Sequence, residues 1–378
     1  MNRGEVFYPL HVRVCGNCFL AQLDEFVSPG DIFGEYAYFS SFSDAFVAHA
    51  RRFVEDSLRR FGLTESSRVV EVGSNDGYLL QHFLPHGVRV LGIEPARNVA
   101  EVAIAKGIPS IAMFLGQESA RVLVREHGVA DLVIANNVLA HTPHLNDFVA
   151  GLAVLAGARG VVSVEFPHLM RLIERNQFDT IYHEHFSYYS FYTVCRIFES
   201  NGLRVFDVQE IDTHGGSLRV FATAGDCHPA TPNVRRMHAV ENDWGVTDLA
   251  SYSNFTRQVE ETKRQLLECL IPLRRAGKHV VGYGVPGKGN TLLNYCGIRT
   301  DLIDYMVDRN PYKQGKFTPG TRIPIYPPER LFATKPDYVL IMIWNLVDEV
   351  IAELGAVRTW GGQFIVPIPS PKLLTGFA

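Results

Sequence analysis

From Arg68 onward the chain alternates short Val-rich strands with amphipathic helices, and this alternation restricts the possible folds more than any other feature. Strand RVVEVG leads into a predicted helix near Tyr78–Leu84, then strand VRVLGIEP, a helix around Val99–Lys106 and a short strand IPSIAMF. A helix around Glu118–His127, strand DLVIANNV, helix Leu145–Leu155 and strand GVVSVEFP carry the series to roughly Gly225. Strands separated by helices pair in parallel and are covered on both faces, so the fold class is α/β. A chain of 378 residues exceeds one ordinary core, and the pattern divides into 1–42, 43–248 and 249–378.

The flanks read differently. Residues 1–42 are short strand-like pieces broken by turns, including FYPLHVRV, CGNC and FLAQL. Ser43–Phe61 carries Phe46, Val47, Ala50, Phe53, Val54 and Leu58 on one helical stripe. Asp226–Asp248, with Pro229 and Pro232, reads as a linker or excursion, and Leu249–Arg275 as one long charged helix. A second α/β unit then begins: strand HVVGYGV, a glycine-rich loop, strands LIDYMVD and DYVLIMI, a helix near Leu346–Leu354, and strand QFIVPIP.

Glu71-Val72-Gly73-Ser74-Asn75-Asp76-Gly77 closes the first strand. Glycines there let the backbone approach a ligand at the carboxyl end of a parallel strand, where open α/β sheets bind. The next strand ends in Glu94-Pro95, and an acid at that point can accept hydrogen bonds from both hydroxyls of a ribose. GSNDG fits neither G-x-G-x-x-G nor a P-loop. A nucleoside without a phosphate cradle is favoured, which suits S-adenosylmethionine. Asn136–Val138, after the fourth strand, should line the same crevice, and Met113-Phe114-Leu115 should flank the adenine.

Ile181–Tyr189 (IYHEHFSYY) concentrates hydroxyl and titratable groups. A base beside a carboxylate is what proton abstraction next to a carbonyl requires. His183 and His185 stand two apart, not the four that a helical zinc pair needs. His141, just past the fourth strand, should face the crevice as well.

Gly282–Gly289 (GYGVPGKG) nearly fits two patterns, a dinucleotide turn with Asp308 as ribose acceptor, and a P-loop lacking its hydroxyl. Backbone amides with Lys288 could hold a diphosphate. The rival readings are an NAD-dependent nucleotide-sugar oxidoreductase built on this loop, a nucleotide-sugar binding protein without activity, and a sugar O- or N-methyltransferase.

A net charge of -4 with interspersed signs argues against nucleic acid as partner. No apolar run reaches the roughly 18–20 residues of a membrane span, and the N-terminus lacks a secretory core. Six scattered cysteines make no disulfide framework, so a cytoplasmic location is expected.

Taken together, YPLHVRVCGNCFLAQL, EVGSNDGYLL, VEFPHLMRLIERNQFDTIYHEHFSYYS, HGGSLRVF, GYGVPGKGNTLLNY and VDRNPYKQGKFTPGTRIPIYPPE resemble the nucleotide-sugar C-methyltransferases, which build branched deoxysugars such as those of antibiotics and cell-surface glycans. The resemblance implies a small zinc-binding-type N-terminal region (1–42), a class I methyltransferase core with a Rossmann-like sheet (43–248), and a second Rossmann-like C-terminal domain (249–378). It implies a thymidine-diphosphate 4-keto-6-deoxysugar whose C3 hydrogen is removed by a histidine, the enolate then taking the methyl. By matching motifs, His185 is the base and Glu184 its partner, while Tyr36, Tyr182 and His141 steady the oxygen. Glu71, Gly73, Asn75, Gly77, Glu94, Pro95, Phe114, Asn136 and Asn137 would hold the donor. His214, Gly215, Ser217, Gly284, Lys288 and Asn290 would border the nucleotide sugar. The family's zinc needs two C-x-x-C pairs, and only Cys15 and Cys18 are present; the chain starts where the upstream pair should have passed. Either its start lies too late or the zinc is lost, and half a site reads as two spare thiols.

Overall fold

A computed structural model describes residues 4–36 and 38–374, leaving aside the His214 side chain. An N-terminal hairpin pairs β1 (Arg13–Val14) with β2 (Ala21–Gln22). The main sheet begins with β3 (Arg68–Val72), β4 (Arg89–Ile93), β5 (Ser110–Ile111), β6 (Leu132–Asn136) and β7 (Val161–Pro167). β8 (Ser187–Tyr188) returns to β2, making a three-stranded sheet. β9 (Arg204–Ile211) and β10 (Ser217–Thr223) complete the main sheet in the order β5-β4-β3-β6-β7-β10-β9. The pairings from β5 across to β7 are parallel, and β10 is antiparallel to both its neighbours.

The second sheet contains β11 (Val280–Tyr283), β12 (Met306–Val307), β13 (Ile325–Tyr326), β14 (Tyr338–Ile341), β15 (Gln363–Val366) and β16 (Lys372–Leu374). Its order is β13-β12-β11-β14-β15-β16. In each sheet the winding reverses once, between β3 and β6 and between β11 and β14. An open α/β sheet binds ligands at the carboxyl ends flanking such a reversal.

The helix Asp44–Phe61 starts where Ser43 accepts the Phe46 N–H and ends at left-handed Gly62. It buries Ala50, Phe53 and Val54 on one face of the main sheet. A fully buried Phe or Val there contributes about 1.5–3 kcal/mol. The other face packs on Phe148, Leu152, Phe166, Phe191 and Phe198.

Four expectations need correction. Tyr78–Leu84 forms 3-10 turns (Leu80–His82 and Leu84–His86) and no α-helix. Pro85 lacks an N–H and its ring clashes with an α-helical turn, so too few residues remain after Gly77. Asp226–Asp248 is no linker: Pro232–Trp244 is a helix with Pro at its start and left-handed Gly245 at its end. Its Met237 joins the main core. The long helix breaks at Asn254 into Leu249–Ser253 and Phe255–Arg275. Gly287–Gly289, the end of the expected glycine-rich loop, lie in the first turn of the helix Gly287–Cys296.

Candidate active site

At the end of β3 the chain turns through Gly73 (φ 67°) and Asn75 (φ 49°), both in the left-handed region. The Gly73 N–H donates to the Ile93 carbonyl at 2.7 Å, fastening the turn to β4. A Cβ on Gly73 would stand 2.4 Å from Val138 Cγ2, so glycine is what lets the turn close against the end of β6. Gly77 also needs to be glycine, but its Cβ would strike Ile108 at 2.2 Å. That residue serves helix–sheet packing.

Glu94 is buried, and its two oxygens accept the Asn75 and Ala96 N–H groups, each at 2.9 Å. Burial pushes its carboxyl up, against those two N–H donors. Each carboxylate oxygen retains a second acceptor site for a ribose hydroxyl. Pro95 follows half-buried, and Phe114 is exposed beside the crevice.

Glu71 Oε2, Ser74 Oγ, Asn136 Oδ1 and both side-chain polar atoms of Asn137 are buried without a hydrogen-bond partner among the described residues. Burial, then the neighbouring Glu94, drives the Glu71 carboxyl well up. Buried polar groups rarely stay unpaired. Such a set at the main sheet's reversal point suits the amino, carboxylate and ribose groups of S-adenosylmethionine. Glu71, Glu94, Asn136 and Asn137 therefore have the chemistry to fit that group.

The sequence did not advertise the cover over this turn. Asn75 accepts the Ser40 N–H at 2.8 Å and donates to the Tyr38 carbonyl at 3.2 Å. Asn98 exchanges two hydrogen bonds with the Tyr36 backbone, at 3.1 and 2.8 Å. The N-terminal segment is thus laid across the crevice, carrying Tyr36 to it.

There Tyr36, His141, Tyr182, Glu184 and His185 come together. The His185 ring centroid lies 4.9 Å from that of His141 and 4.2 Å from that of Tyr182. His185 Nδ1 is 3.0 Å from the Thr180 carbonyl. A carbonyl only accepts, so Nδ1 carries a proton, and in the neutral ring the lone pair sits on Nε2. His141 Nδ1 likewise donates to the Glu184 carbonyl, at 2.9 Å. Burial, opposed by hydrogen bonds to the Glu184 and Asn137 carbonyls, lowers His141 to about 4, so it is neutral at pH 7. The Tyr36 hydroxyl donates to Glu184 Oε2 at 3.1 Å. Burial and the Glu184 charge keep that phenol protonated. Tyr182 is held protonated by burial and then by Glu184.

A second buried network was missed. Glu165, an acid in the Val-rich β7, accepts from Arg219 at 2.7 Å, His49 at 3.0 Å and Thr213 at 3.0 Å. Burial raises its carboxyl, but His49 and the Arg219 charge outweigh that and hold it at about 2. A lone acid in VVSVEFP and a lone base in SLRVFAT were the available signals. The network ties β7 to the turn Thr213–Gly215.

Of the expected substrate residues, Gly215 is packed against Gln177 and Trp344, and Ser217 donates to the Thr213 carbonyl at 2.9 Å. The His214 side chain lies outside the described residues. Gly284 (φ 84°) ends β11 beside Ile343, and Asn290 Oδ1 is buried without a partner among the described residues. Lys288 turns inward, its ammonium 4.0 Å over the Trp344 ring and bonded to Asn345 Oδ1. Asp308 accepts the Val285 N–H at 2.7 Å and the Asn310 N–H at 2.8 Å.

Cys15 and Cys18 are free and half-buried. Among the described residues no three His, Cys, Asp or Glu side chains are grouped to hold a metal. Nor is any helix of those residues long and apolar enough to cross a membrane.

Comparison with known proteins gives the following. Models of a C-methyltransferase C-terminal domain, a methyltransferase domain and a zinc binding domain match residues 212–369, 46–208 and 1–33. The C-methyltransferase NovU of Streptomyces niveus is 40% identical over 373 residues, covering 98% of this chain and 89% of the relative. Among solved structures, magnesium protoporphyrin IX methyltransferase of Synechocystis PCC 6803 with bound SAH is 18% identical at a TM-score of 0.38, covering 50% of this chain and 90% of that one. A SAM dependent methyltransferase of Archaeoglobus fulgidus is 15% identical at 0.37, covering 48% and 100%.

Proposed function

The chain belongs to the C-methyltransferases that use S-adenosylmethionine, and from that premise we propose that its acceptor is a nucleotide-linked, thymidine-diphosphate 4-keto-6-deoxysugar methylated at C3. The NAD-dependent alternative falls with the family assignment.

The observation that carries this reading is the His185 imidazole, fixed as the Nδ1–H tautomer by the Thr180 carbonyl at 3.0 Å. Its Nε2 takes the proton from the sugar's C3, a carbon made acidic by the adjacent ketone. The Tyr182 hydroxyl, which makes no hydrogen bond among the described residues, donates to the oxygen on which negative charge develops. Tyr36 and His141 act one step back from the roles that motif matching suggests, because their protons go to the Glu184 carboxylate and carbonyl. They hold Glu184 beside the base. Bound S-adenosylmethionine supplies the electrophilic methyl group that the carbanion captures; Glu71, Gly73, Asn75, Glu94, Pro95, Phe114, Asn136 and Asn137 would hold it.

The sugar is placed beside the turn Thr213–Gly215, with Ser217 buried behind it and bonded to the Thr213 carbonyl. The diphosphate lies at Gly284 and the first turn of Gly287–Cys296, where unpaired N–H groups face an anion. Residues 43–248 form the catalytic core in this reading, and 249–378 the nucleotide-sugar domain.

Mass spectrometry of reactions with S-adenosylmethionine and a panel of thymidine-diphosphate 4-keto sugars tests the proposal. The expected product gains one methyl at C3, located by NMR, and the enzyme exchanges the C3 hydrogen for solvent deuterium. A methyl on oxygen or nitrogen, or no exchange, removes the carbanion route. His185→Ala should abolish both reactions while leaving S-adenosylmethionine binding intact.

A further inference from the structure

One loop, residues 178–185, lies between the reversal points of the two sheets, and the second sheet grips it repeatedly. Thr291 Oγ1 donates to the Ile181 carbonyl at 3.1 Å. A Cβ on Gly287 would stand 3.5 Å from the Tyr182 ring, so that ring rests on the helix's bare first turn. Trp344, just past β14, donates its Nε1–H to Asp179 Oδ2 at 2.7 Å. Lys288 sits on the face of the same indole.

Asp179 and Lys288 therefore share one ring, the carboxylate at its N–H and the cation on its face. Asp179 is wholly buried and Trp344 nearly so. Burial pushes the Asp179 carboxyl up to about 6, opposed by the Lys288 charge and the Trp344 bond. Burial pushes Lys288 down to about 8, opposed by Asp179. Each charge keeps the other in place at neutral pH. The residue after Asp179 is Thr180, whose carbonyl holds the proton on His185 Nδ1.

We propose that Asp179 and Lys288 are positioning residues: through the Trp344 indole they lock the turn Phe178–Thr180 to the second sheet and so aim the Thr180 carbonyl at the catalytic imidazole. Lys288 on this view does not touch the substrate's diphosphate. The inference rests on His185 as the base.

The test uses the full chain carrying Lys288→Met, Lys288→Arg, Asp179→Asn and the Asp179→Asn/Lys288→Met pair. Readouts are kcat and KM for the nucleotide sugar, and nitrogen-15 NMR of the labelled histidines without sugar, with His185 assigned by His185→Gln. Misplacing a reacting group by about 1 Å can cost a hundredfold in rate. Lys288→Met should lower kcat by about 10–100-fold with KM within about threefold, and Lys288→Arg should recover most of that loss. The double variant should be no slower than Lys288→Met alone, because both changes disable one device. The His185 nitrogens should drift from a pure Nδ1–H tautomer towards a mixture in Lys288→Met and in Asp179→Asn. A KM raised manyfold at unchanged kcat, additive losses in the pair, or an undisturbed His185 spectrum would overturn the proposal. If Lys288→Met does not fold, Asp179→Asn decides, since it keeps the size of the side chain and removes the charge that holds Lys288 on the indole. The spectrum needs no substrate, so a wild type inactive on every 4-keto sugar would remove the sugar assignment alone.

Discussion

Replacing Gly73 by alanine probes the proposed donor cradle where the β3 turn closes on Val138. The new Cβ would stand 2.4 Å from Val138 Cγ2 at a φ of 67°. Forcing a methyl into a packed position costs about 1–3 kcal/mol, and a left-handed non-glycine residue about 1–2 kcal/mol more. The sum is about 2–5 kcal/mol. Gly73 is fastened to Ile93 at 2.7 Å, so Val138 is the side that yields. Val138 directly follows Asn136 and Asn137, which carry buried side-chain atoms without a partner among the described residues and are proposed to hold the donor, so its displacement should weaken that hold. Calorimetry should find S-adenosylmethionine bound at least about tenfold more weakly, a change of about 1.4 kcal/mol, with a lowered Tm. Adding Val138→Ala relieves the overlap and not the backbone strain, so affinity should recover in part. Unchanged affinity in Gly73→Ala, or no recovery in the double variant, would refute the reasoning.

Gly77→Ala offers the contrast: its Cβ meets Ile108, so Tm should fall while the folded protein binds S-adenosylmethionine normally. Tyr36→Phe removes the 3.1 Å donor to Glu184; a hydrogen bond to a charged group is worth about 1.5–3 kcal/mol, so methyl transfer should drop about tenfold or more without loss of donor affinity. Glu165, held at about 2 against an ordinary value of 4.5, stabilises the fold above pH 4.5 and progressively less as pH falls towards 2. At roughly 1.4 kcal/mol per pK unit this is about 3 kcal/mol. Denaturant titrations should find the acid loss diminished in Glu165→Gln, which is also less stable at pH 7 because Arg219 loses its partner.

The glycine turn and the His–Glu–His stretch can be picked out in the sequence because each is local. A glycine turn between a Val-rich strand and an acid-ended strand marks through spacing alone where a ligand is expected. Tyr182, Glu184 and His185 sit within four residues, and His141 follows a strand end. What escapes is whatever depends on distant contact. Nothing in GEYAY predicts that Asn75 and Asn98 draw that segment over the crevice. Lys288 in a glycine-rich loop reads as a phosphate ligand because its neighbours are amides and glycines. Its ammonium is claimed instead by Trp344 and Asn345, more than fifty residues away in sequence.

The helix expected at 78–84 fails for a related reason: apolar periodicity over Tyr78, Leu79, Leu80 and Phe83 records burial, and Pro85 decides the backbone. The same separation between burial and geometry governs the catalytic loop. Its residues are chosen for chemistry, yet their orientation comes from all three sheets. β8, beside His185, pairs with the N-terminal hairpin. Asp179 and Ile181 are held by Trp344 and Thr291 of the second α/β unit. His141 is presented by the end of β6. A base assembled this way depends on contacts that none of the three parts can make alone. Damage to the second sheet should therefore appear first as lost proton abstraction, before any loss of donor binding at β3.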